Sequence, residues 1–113
     1  MTTSLNDWPA VYDHAAGLPG AVTGTYYGGP AIMAAASDRP VVTPSRESDS
    51  FVLHIDCDHK AMLLDLHPDR FWETPHNAGY PALLIRYGPL DPVAEWIARA
   101  LHLPAALPRR KTK

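Results

Sequence analysis

The stretch Phe51–Asp56, FVLHID, alternates apolar and polar side chains and is the clearest strand signal in the chain. Phenylalanine, leucine and isoleucine at 51, 53 and 55 fall on one side, and Val52, His54 and Asp56 fall on the other. Because successive side chains of a strand point to opposite faces of its sheet, the stretch predicts a strand with one apolar face. Such a face needs a second layer of structure to cover it.

Three further strands are predicted upstream, where turn-forming residues separate short stretches of strand-forming ones. Residues 21–27, AVTGTYY, are rich in β-branched and aromatic side chains, and the GGP at Gly28–Pro30 ends them. Residues 31–35, AIMAA, form a weaker candidate because alanine has little strand preference, and residues 40–43, PVVT, form a short one. Four short strands in succession predict an antiparallel meander.

A helix is predicted directly after FVLHID. Asp56 or Asp58 can cap it, because a carboxylate at this position accepts hydrogen bonds from the first backbone N–H groups. Met62 and Leu66 lie one turn apart and are predicted to form its buried side. Pro68 disfavours helical structure in the residue before it and so ends the helix.

Two more helices are predicted near the ends of the chain. Residues 8–16 form the first, capped by Asp7 or the residue before it. Residues 90–101, LDPVAEWIARAL, form the last, with Asp91 as its cap and Pro92 at its first position. Its apolar stripe follows helical spacing and consists of Val93, Trp96, Ile97, Ala100 and Leu101.

Two more strands, residues 70–74 (RFWET) and 82–87 (ALLIRY), lie on either side of the stretch Thr74–Pro81, TPHNAGYP. In the second of them the alternation leaves Arg86 on the side that reaches water. The order helix, strands, helix, two strands, helix predicts an α+β fold: an antiparallel sheet of about five to six short strands with helices packed on one face.

One domain is expected, because 113 residues suit a single core and no internal repeat divides the chain. We assign residues 1–108 to this domain and residues 109–113 to a basic tail. Cys57 is the only cysteine, so no internal disulfide can form and a cytoplasmic location is expected. No apolar stretch is long enough to span a membrane, and the first residues lack the features of a signal peptide, so no membrane partner is expected.

The charge of the chain is unevenly distributed. Arg109, Arg110, Lys111 and Lys113 lie in the tail, whereas residues 1–108 carry six basic and twelve acidic side chains, a net charge of −6. An acidic body repels a phosphate backbone, so only the tail is attractive to nucleic acid. A short basic end is also common as a plain solvated terminus, and both interpretations stay open.

The stretch Thr74–Pro81 predicts a stiff hairpin connection. Pro75 and Pro81 lack a backbone donor and suit the margins of strands. Asn77 and Gly79 tolerate positive φ, which lets the chain reverse its direction between the two strands. The shape of the connection accounts for these residues without any ligand.

The hairpin does not account for His76 and Tyr80. An imidazole and a phenol on a rigid turn make a recognition surface, because little entropy is lost when they bind. Together with Tyr26 and Tyr27 of the TYYGGP turn, they would line a groove with polar tips and apolar bodies. The stretch therefore also fits a small-molecule or protein-partner binding module.

The densest set of metal-ligand types is HIDCDH, residues 54–59. These types suit zinc, but the chain passes from a strand into a helix within the set, and no second cluster offers the paired spacing of a zinc site. Cys57 has acidic neighbours at Asp56 and Asp58, which oppose a thiolate. We therefore expect no metal, no cofactor and no catalytic residue, in a protein that is not an enzyme.

These stretches together resemble the MmcQ/YjbR family of small bacterial proteins. The similar segments are LPGAVTGTYYGGPAI (18–32), DSFVLHIDCDHKAMLL (49–64) and HPDRFWETPHNAGYPALLIRY (67–87), followed by the final helix. The third segment is the most specific, since the family carries a similar TPH-x-x-GYPA stretch. The resemblance implies a fold like that of frataxin-type CyaY proteins, with helices against an antiparallel sheet, and it implies DNA as the partner.

The resemblance also implies where the sites would lie. DNA would meet the basic tail, with help from Arg70, Arg86 and Arg99. The family motif would supply a ligand surface formed by Thr74, Pro75, His76, Gly79, Tyr80, Pro81 and Tyr27. A non-enzymatic DNA-binding protein is thus the expected function, and a small-molecule or protein-partner module is the alternative.

Overall fold

The structure, a computed structural model, describes residues 4–26, 28–47, 49–75 and 78–102. The elements along these residues are, in chain order, β1 (Ser4–Leu5), α1 (Trp8–Ala16), β2 (Ala21–Tyr26), β3 (Gly29–Ala34), β4 (Arg39–Pro44), β5 (Ser50–His54), α2 (Cys57–Leu66), β6 (Phe71–Trp72), β7 (Ala82–Arg86), β8 (Gly88–Pro89) and α3 (Val93–His102). The α+β class is therefore confirmed.

Six of the strands form one antiparallel sheet in the order β2-β3-β4-β5-β7-β6. Strands β2 to β5 pair in sequence, which confirms the predicted meander. Strand β7 pairs with β5, and β6 adds to the far side of β7. Strands β1 and β8 pair with each other in a separate two-stranded sheet that was not predicted, because two-residue strands carry no alternation.

One face of the six-stranded sheet forms the core. Phe51 of β5 lies opposite Ile85 of β7, Leu53 lies opposite Leu83, and all four side chains are fully buried. Residues of all three helices join them in one cluster: Val11 and Ala15 of α1, Leu63 of α2, and Val93, Ile97 and Ala100 of α3. The helices thus cover the apolar face that the alternation in FVLHID predicted.

The first and last helices lie close to their predicted positions. Asp7 caps α1, because its Oδ1 accepts a hydrogen bond of 3.0 Å from Ala10 N. Helix α3 begins at Val93, so Pro92 precedes the helix instead of occupying its first position. Trp96 is half-buried, and the rest of the predicted stripe is buried. Within the described part of the chain, no helix is long and apolar enough to cross a membrane.

The prediction for α2 was correct in its cap and wrong in its buried side. Asp56 caps the helix. Met62 and Leu66 were predicted to be buried but are 38% and 58% exposed, whereas Leu63 and Lys60 are buried. Because consecutive helical residues point about 100° apart, turning Leu63 and Lys60 towards the sheet turns the other two towards solvent. The apolar spacing of α2 predicted the wrong face because Lys60, a residue type that usually faces solvent, occupies a buried position.

Candidate functional site

The segment Thr74–Pro81 connects β6 to β7. Phe71 and Trp72 of β6 pair antiparallel with β7, so the predicted hairpin connection is confirmed. Pro81 lies directly before β7, at the margin of the strand. Gly79 has a φ of +83°, a conformation that favours glycine because a side chain there would crowd the backbone.

The other described residues of this segment lie near the surface. Thr74 O accepts a hydrogen bond of 3.0 Å from Ala78 N, which closes one turn of the segment. Pro75 is exposed, and the Tyr80 side chain is 63% exposed. Three residues of the predicted TYYGGP and TPHNAGYP turns lie outside the described residues, namely Tyr27, His76 and Asn77.

A buried lysine of α2 holds both ends of the segment. Lys60 is 4% exposed, and its Nζ donates a hydrogen bond of 2.8 Å to Tyr80 O. The same Nζ lies 2.7 Å from Glu73 Oε1, in an ion pair just before Thr74. A buried ammonium is stable only when its charge is paired and hydrogen-bonded, and these two contacts meet that requirement. The helix, β6 and the turn are thus tied together at one atom.

A shallow pocket of about 180 Å³, largely open to solvent, lies between α2 and this segment. We call it the Lys60 pocket, and its lining residues are Cys57, Lys60, Ala61, Leu64, Glu73 and Gly79. Cys57 Sγ lies 4.0 Å from Gly79 O, so the thiol stands beside the turn. The Glu73 side chain is 37% exposed, which leaves its carboxylate partly accessible from solvent. The pocket therefore combines apolar surface with an ammonium, a carboxylate and a thiol.

The N-terminal cap of α2 fixes the start of the helix that lines one side of the Lys60 pocket. Asp56 Oδ2 accepts a hydrogen bond of 3.0 Å from His59 N, and Asp56 Oδ1 lies 2.7 Å from His59 Nδ1. Burial opposes ionisation of Asp56, but the hydrogen bonds from the backbone and ring of His59 outweigh it and lower the carboxyl pKa. The cap fixes the start of the helix, and Cys57 follows as its first residue.

His54 belongs to a separate cluster on β4 and β5. Its Nε2 lies 3.0 Å from Thr43 Oγ1, and its ring meets the Tyr26 ring edge-on with centroids 5.5 Å apart. Burial, and to a lesser extent the positive charge of Arg39, lower the pKa of His54 to about 4. The imidazole is therefore neutral at neutral pH.

The residues of HIDCDH are thus divided among three settings. His54 faces Thr43, Asp56 and His59 bind each other, and Cys57 lines the Lys60 pocket. Among the residues that the structure describes, no group of three or more His, Cys, Asp or Glu is arranged to hold a metal ion. Of the residues of the predicted groove, Tyr26 lies against His54 and the Tyr80 side chain is largely exposed.

The arginines expected to help bind DNA have partners within the protein. The Arg86 guanidinium lies 4.4 Å from the centroid of the Trp72 ring, and its Nη1 donates a hydrogen bond of 3.1 Å to Asp49 Oδ2. Arg70 donates to two backbone carbonyl oxygens, and Arg99 pairs with an acidic residue one turn earlier. The four basic residues of the tail lie outside the described part of the chain: Arg109, Arg110, Lys111 and Lys113.

The two charged residues of the pocket, Lys60 and Glu73, are not apparent from the sequence alone. A charged residue at a helix position is normally assigned to solvent, and the contact of Lys60 with the turn is not visible in local spacing. One signal was available: Cys57, Ala61 and Leu64 share a helix face at spacings of four and three. These three residues form the apolar part of the pocket lining on α2.

Comparison of the chain with protein-family models, with curated proteins and with solved structures found no match in any of the three. The resemblance to the MmcQ/YjbR family therefore stays a prediction from the quoted segments. Functional assignment depends on the residues and geometry of this chain.

Proposed function

We propose that this protein is a non-enzymatic binding protein whose ligand site is the Lys60 pocket. One observation carries the proposal: Lys60 is 4% exposed and forms an ion pair with Glu73 in the pocket wall. Burying an ammonium costs free energy, and the ion pair that it forms does not always offset this cost. An apolar side chain at position 60 would therefore often give a fold of equal stability. A buried charge kept beside a pocket therefore supports a role in recognition.

The dimensions and chemistry of the pocket favour a small ligand. Its volume of about 180 Å³ is below the range of roughly 300–1,000 Å³ that is typical of sites for drug-sized molecules. Ala61 and Leu64 offer apolar contact, and the accessible carboxylate of Glu73 offers a hydrogen-bond acceptor. The ligand we propose has a short apolar body and a donor group, such as a primary amine.

DNA is the second candidate, because four basic residues lie within the last five positions of the chain. Against it stands the acidic body, where Arg86 is paired with Asp49. DNA binding, membership in the MmcQ/YjbR family and a cytoplasmic location remain proposals that rest on the sequence.

The ligand proposal is tested with two variants that place the same side chain on different sides of α2. Ala61 is exposed and lines the pocket, so Ala61→Phe fills the pocket without removing the ion pair. Leu66→Phe adds a similar ring at a position that is 58% exposed and does not line the pocket. The ¹⁵N-labelled full chain is titrated with isobutylamine and benzylamine while backbone amide signals are followed by NMR.

We expect the amide of Gly79 and those of the first turns of α2 to shift in the wild type and in Leu66→Phe. In Ala61→Phe these shifts disappear, because the added ring occupies the space of the probe. If neither amine shifts these signals, or if Ala61→Phe responds like the wild type, the Lys60 pocket is not the ligand site for this class of molecule.

A further inference from the structure

The outer edge of β2 lacks the features that usually protect a sheet edge. Strand β2 is six residues long, and within the described residues β3 is its one neighbour in the sheet. Long edge strands are normally shielded by a charged side chain or a proline that discourages another strand from pairing. Residues 14–37 contain no Asp, Glu, Lys or Arg, and β2 contains no proline. This edge is therefore open to pairing.

The register identifies the backbone groups that face outward. Ala35 N donates a hydrogen bond of 2.8 Å to Gly20 O, so Gly20 and every second residue after it bond towards β3. The N–H and C=O groups of Thr23 and Thr25 consequently point away from the sheet. Ala21 also points outward, but its N–H donates to Leu18 O at 3.2 Å. Among the described residues, no backbone group bonds to the outward groups of Thr23 or Thr25.

We propose that the partner for this edge is β2 of a second copy of the chain, paired antiparallel about a two-fold axis at Gly24. In this register Thr23 faces Thr25 of the partner subunit, so outward groups meet outward groups and four backbone hydrogen bonds form. The two threonine pairs are among the cross-strand pairs that stabilise antiparallel strands. The sequence VTGTY is thus complementary to itself.

The residues at positions 22, 24 and 26, which alternate with the two threonines, support the same register. Val22 is 43% exposed and faces the partner subunit's Tyr26, in the type of pair that brings side chains closest. Tyr26 is itself 37% exposed beside His54. Gly24 faces its own copy at the axis, where the absence of side chains lets the strands approach. Pairing therefore covers two of the large exposed apolar side chains in each copy.

Charge favours a second copy at this place on the surface. Two bodies that each carry −6 repel each other, and the repulsion is smallest where no charged side chain lies between them. The uncharged residues 14–37 include β2 and the turn after it. The Lys60 pocket lies at the other end of the sheet, beside β6 and β7, so pairing through β2 leaves it accessible.

The first test measures the mass of the full chain in solution by light scattering over a wide range of concentrations. The wild type is expected to form a dimer. Thr23→Pro removes an outward N–H, a change that edge strands tolerate, and is expected to give a monomer with an unchanged circular dichroism spectrum. Thr23→Val keeps the N–H and is expected to retain the dimer. A wild type that is monomeric at every concentration, or a Thr23→Pro dimer as stable as the wild type, overturns the proposal.

The second test checks the register without depending on the proline variant. Val22→Cys and Tyr26→Cys proteins, each also carrying Cys57→Ser so that the natural thiol cannot form a cross-link, are oxidised separately and as a mixture. Because position 22 faces position 26 across the axis, the mixture is expected to give a cross-linked dimer that neither protein gives alone. Equal cross-linking in either protein alone, or none in the mixture, overturns the pairing about Gly24.

Discussion

Lys60 Nζ and Glu73 Oε1 lie 2.7 Å apart, with the lysine 4% exposed and the glutamate side chain 37% exposed. The lysine belongs to α2, and the glutamate directly follows β6. Their contact, together with the hydrogen bond from Lys60 to Tyr80 O, joins the helix to both ends of the turn. The arrangement has separate consequences for stability and for binding.

Replacing Glu73 should lower the free energy of unfolding more than replacing Lys60 with an apolar residue. Glu73→Gln removes the carboxylate that lies 2.7 Å from the buried ammonium, and we expect a loss of about 1–3 kcal/mol in the free energy of unfolding. Lys60→Met keeps most of the volume and removes the charge, so we expect a smaller loss. Urea denaturation of both variants and of the double variant measures the difference. Lys60→Met as the less stable single variant would show that the charge is not the costly element.

The buried face of α2 can be checked by truncation along the helix. Leu63 is fully buried, so Leu63→Ala should lower the free energy of unfolding by about 2–5 kcal/mol. Met62 is 38% exposed, and Met62→Ala should change it by less than about 1 kcal/mol. The two neighbouring positions are compared by thermal or urea denaturation. Equal losses would place the buried side of the helix elsewhere.

The low pKa of His54 predicts a loss of stability in mild acid. Its pKa is about 4 in the folded chain and 6.5 when unperturbed, because burial disfavours the charged ring. Between these values the unfolded chain binds more protons, so the free energy of unfolding falls as the pH is lowered from 6.5 towards 4. The slope from this group is at most about 1.4 kcal/mol per pH unit.

His54→Gln removes the titrating group and is the matched control for this prediction. The variant should show a shallower pH dependence than the wild type between pH 6.5 and 4, measured by urea denaturation at several pH values. Asp56 does not disturb the comparison, because it is present in both proteins and the stability linked to its lowered pKa is lost mainly below its ordinary value of 3.8. Identical slopes would exclude His54 as the source.

If DNA is bound at all, the tail should account for it. Fluorescence anisotropy of labelled duplex DNA at about 50 and 200 mM salt should then give a log–log slope of roughly −3.6, the value for four phosphate contacts. Changing Arg109, Arg110, Lys111 and Lys113 to Gln together should abolish binding, whereas Arg86→Gln should leave it unchanged because Asp49 pairs with Arg86. Loss of binding in Arg86→Gln alone would indicate a DNA surface on the folded body.

Local patterns were sufficient to predict most of the sheet. The alternation in FVLHID and the turn residues between strands indicated β2 to β5, and Gly79 was assigned to a reversal that its φ of +83° confirms. The buried side of α2 was predicted wrongly because it depends on contacts of Lys60 with Glu73 and Tyr80, which lie far along the chain. The pocket was missed for the same reason, although Cys57 and Gly79 had both been singled out.

The Lys60 pocket is built from one contiguous piece of chain, since its lining runs from Cys57 to Gly79 in the sequence. Local unfolding in native proteins tends to involve such contiguous units, and amide hydrogen exchange reports the free energy of each. A bound ligand should slow exchange in α2 and at Ala78 by an amount set by its occupancy, while exchange in β2 to β4 stays as it was. Exchange rates would therefore locate a ligand even before its identity is known.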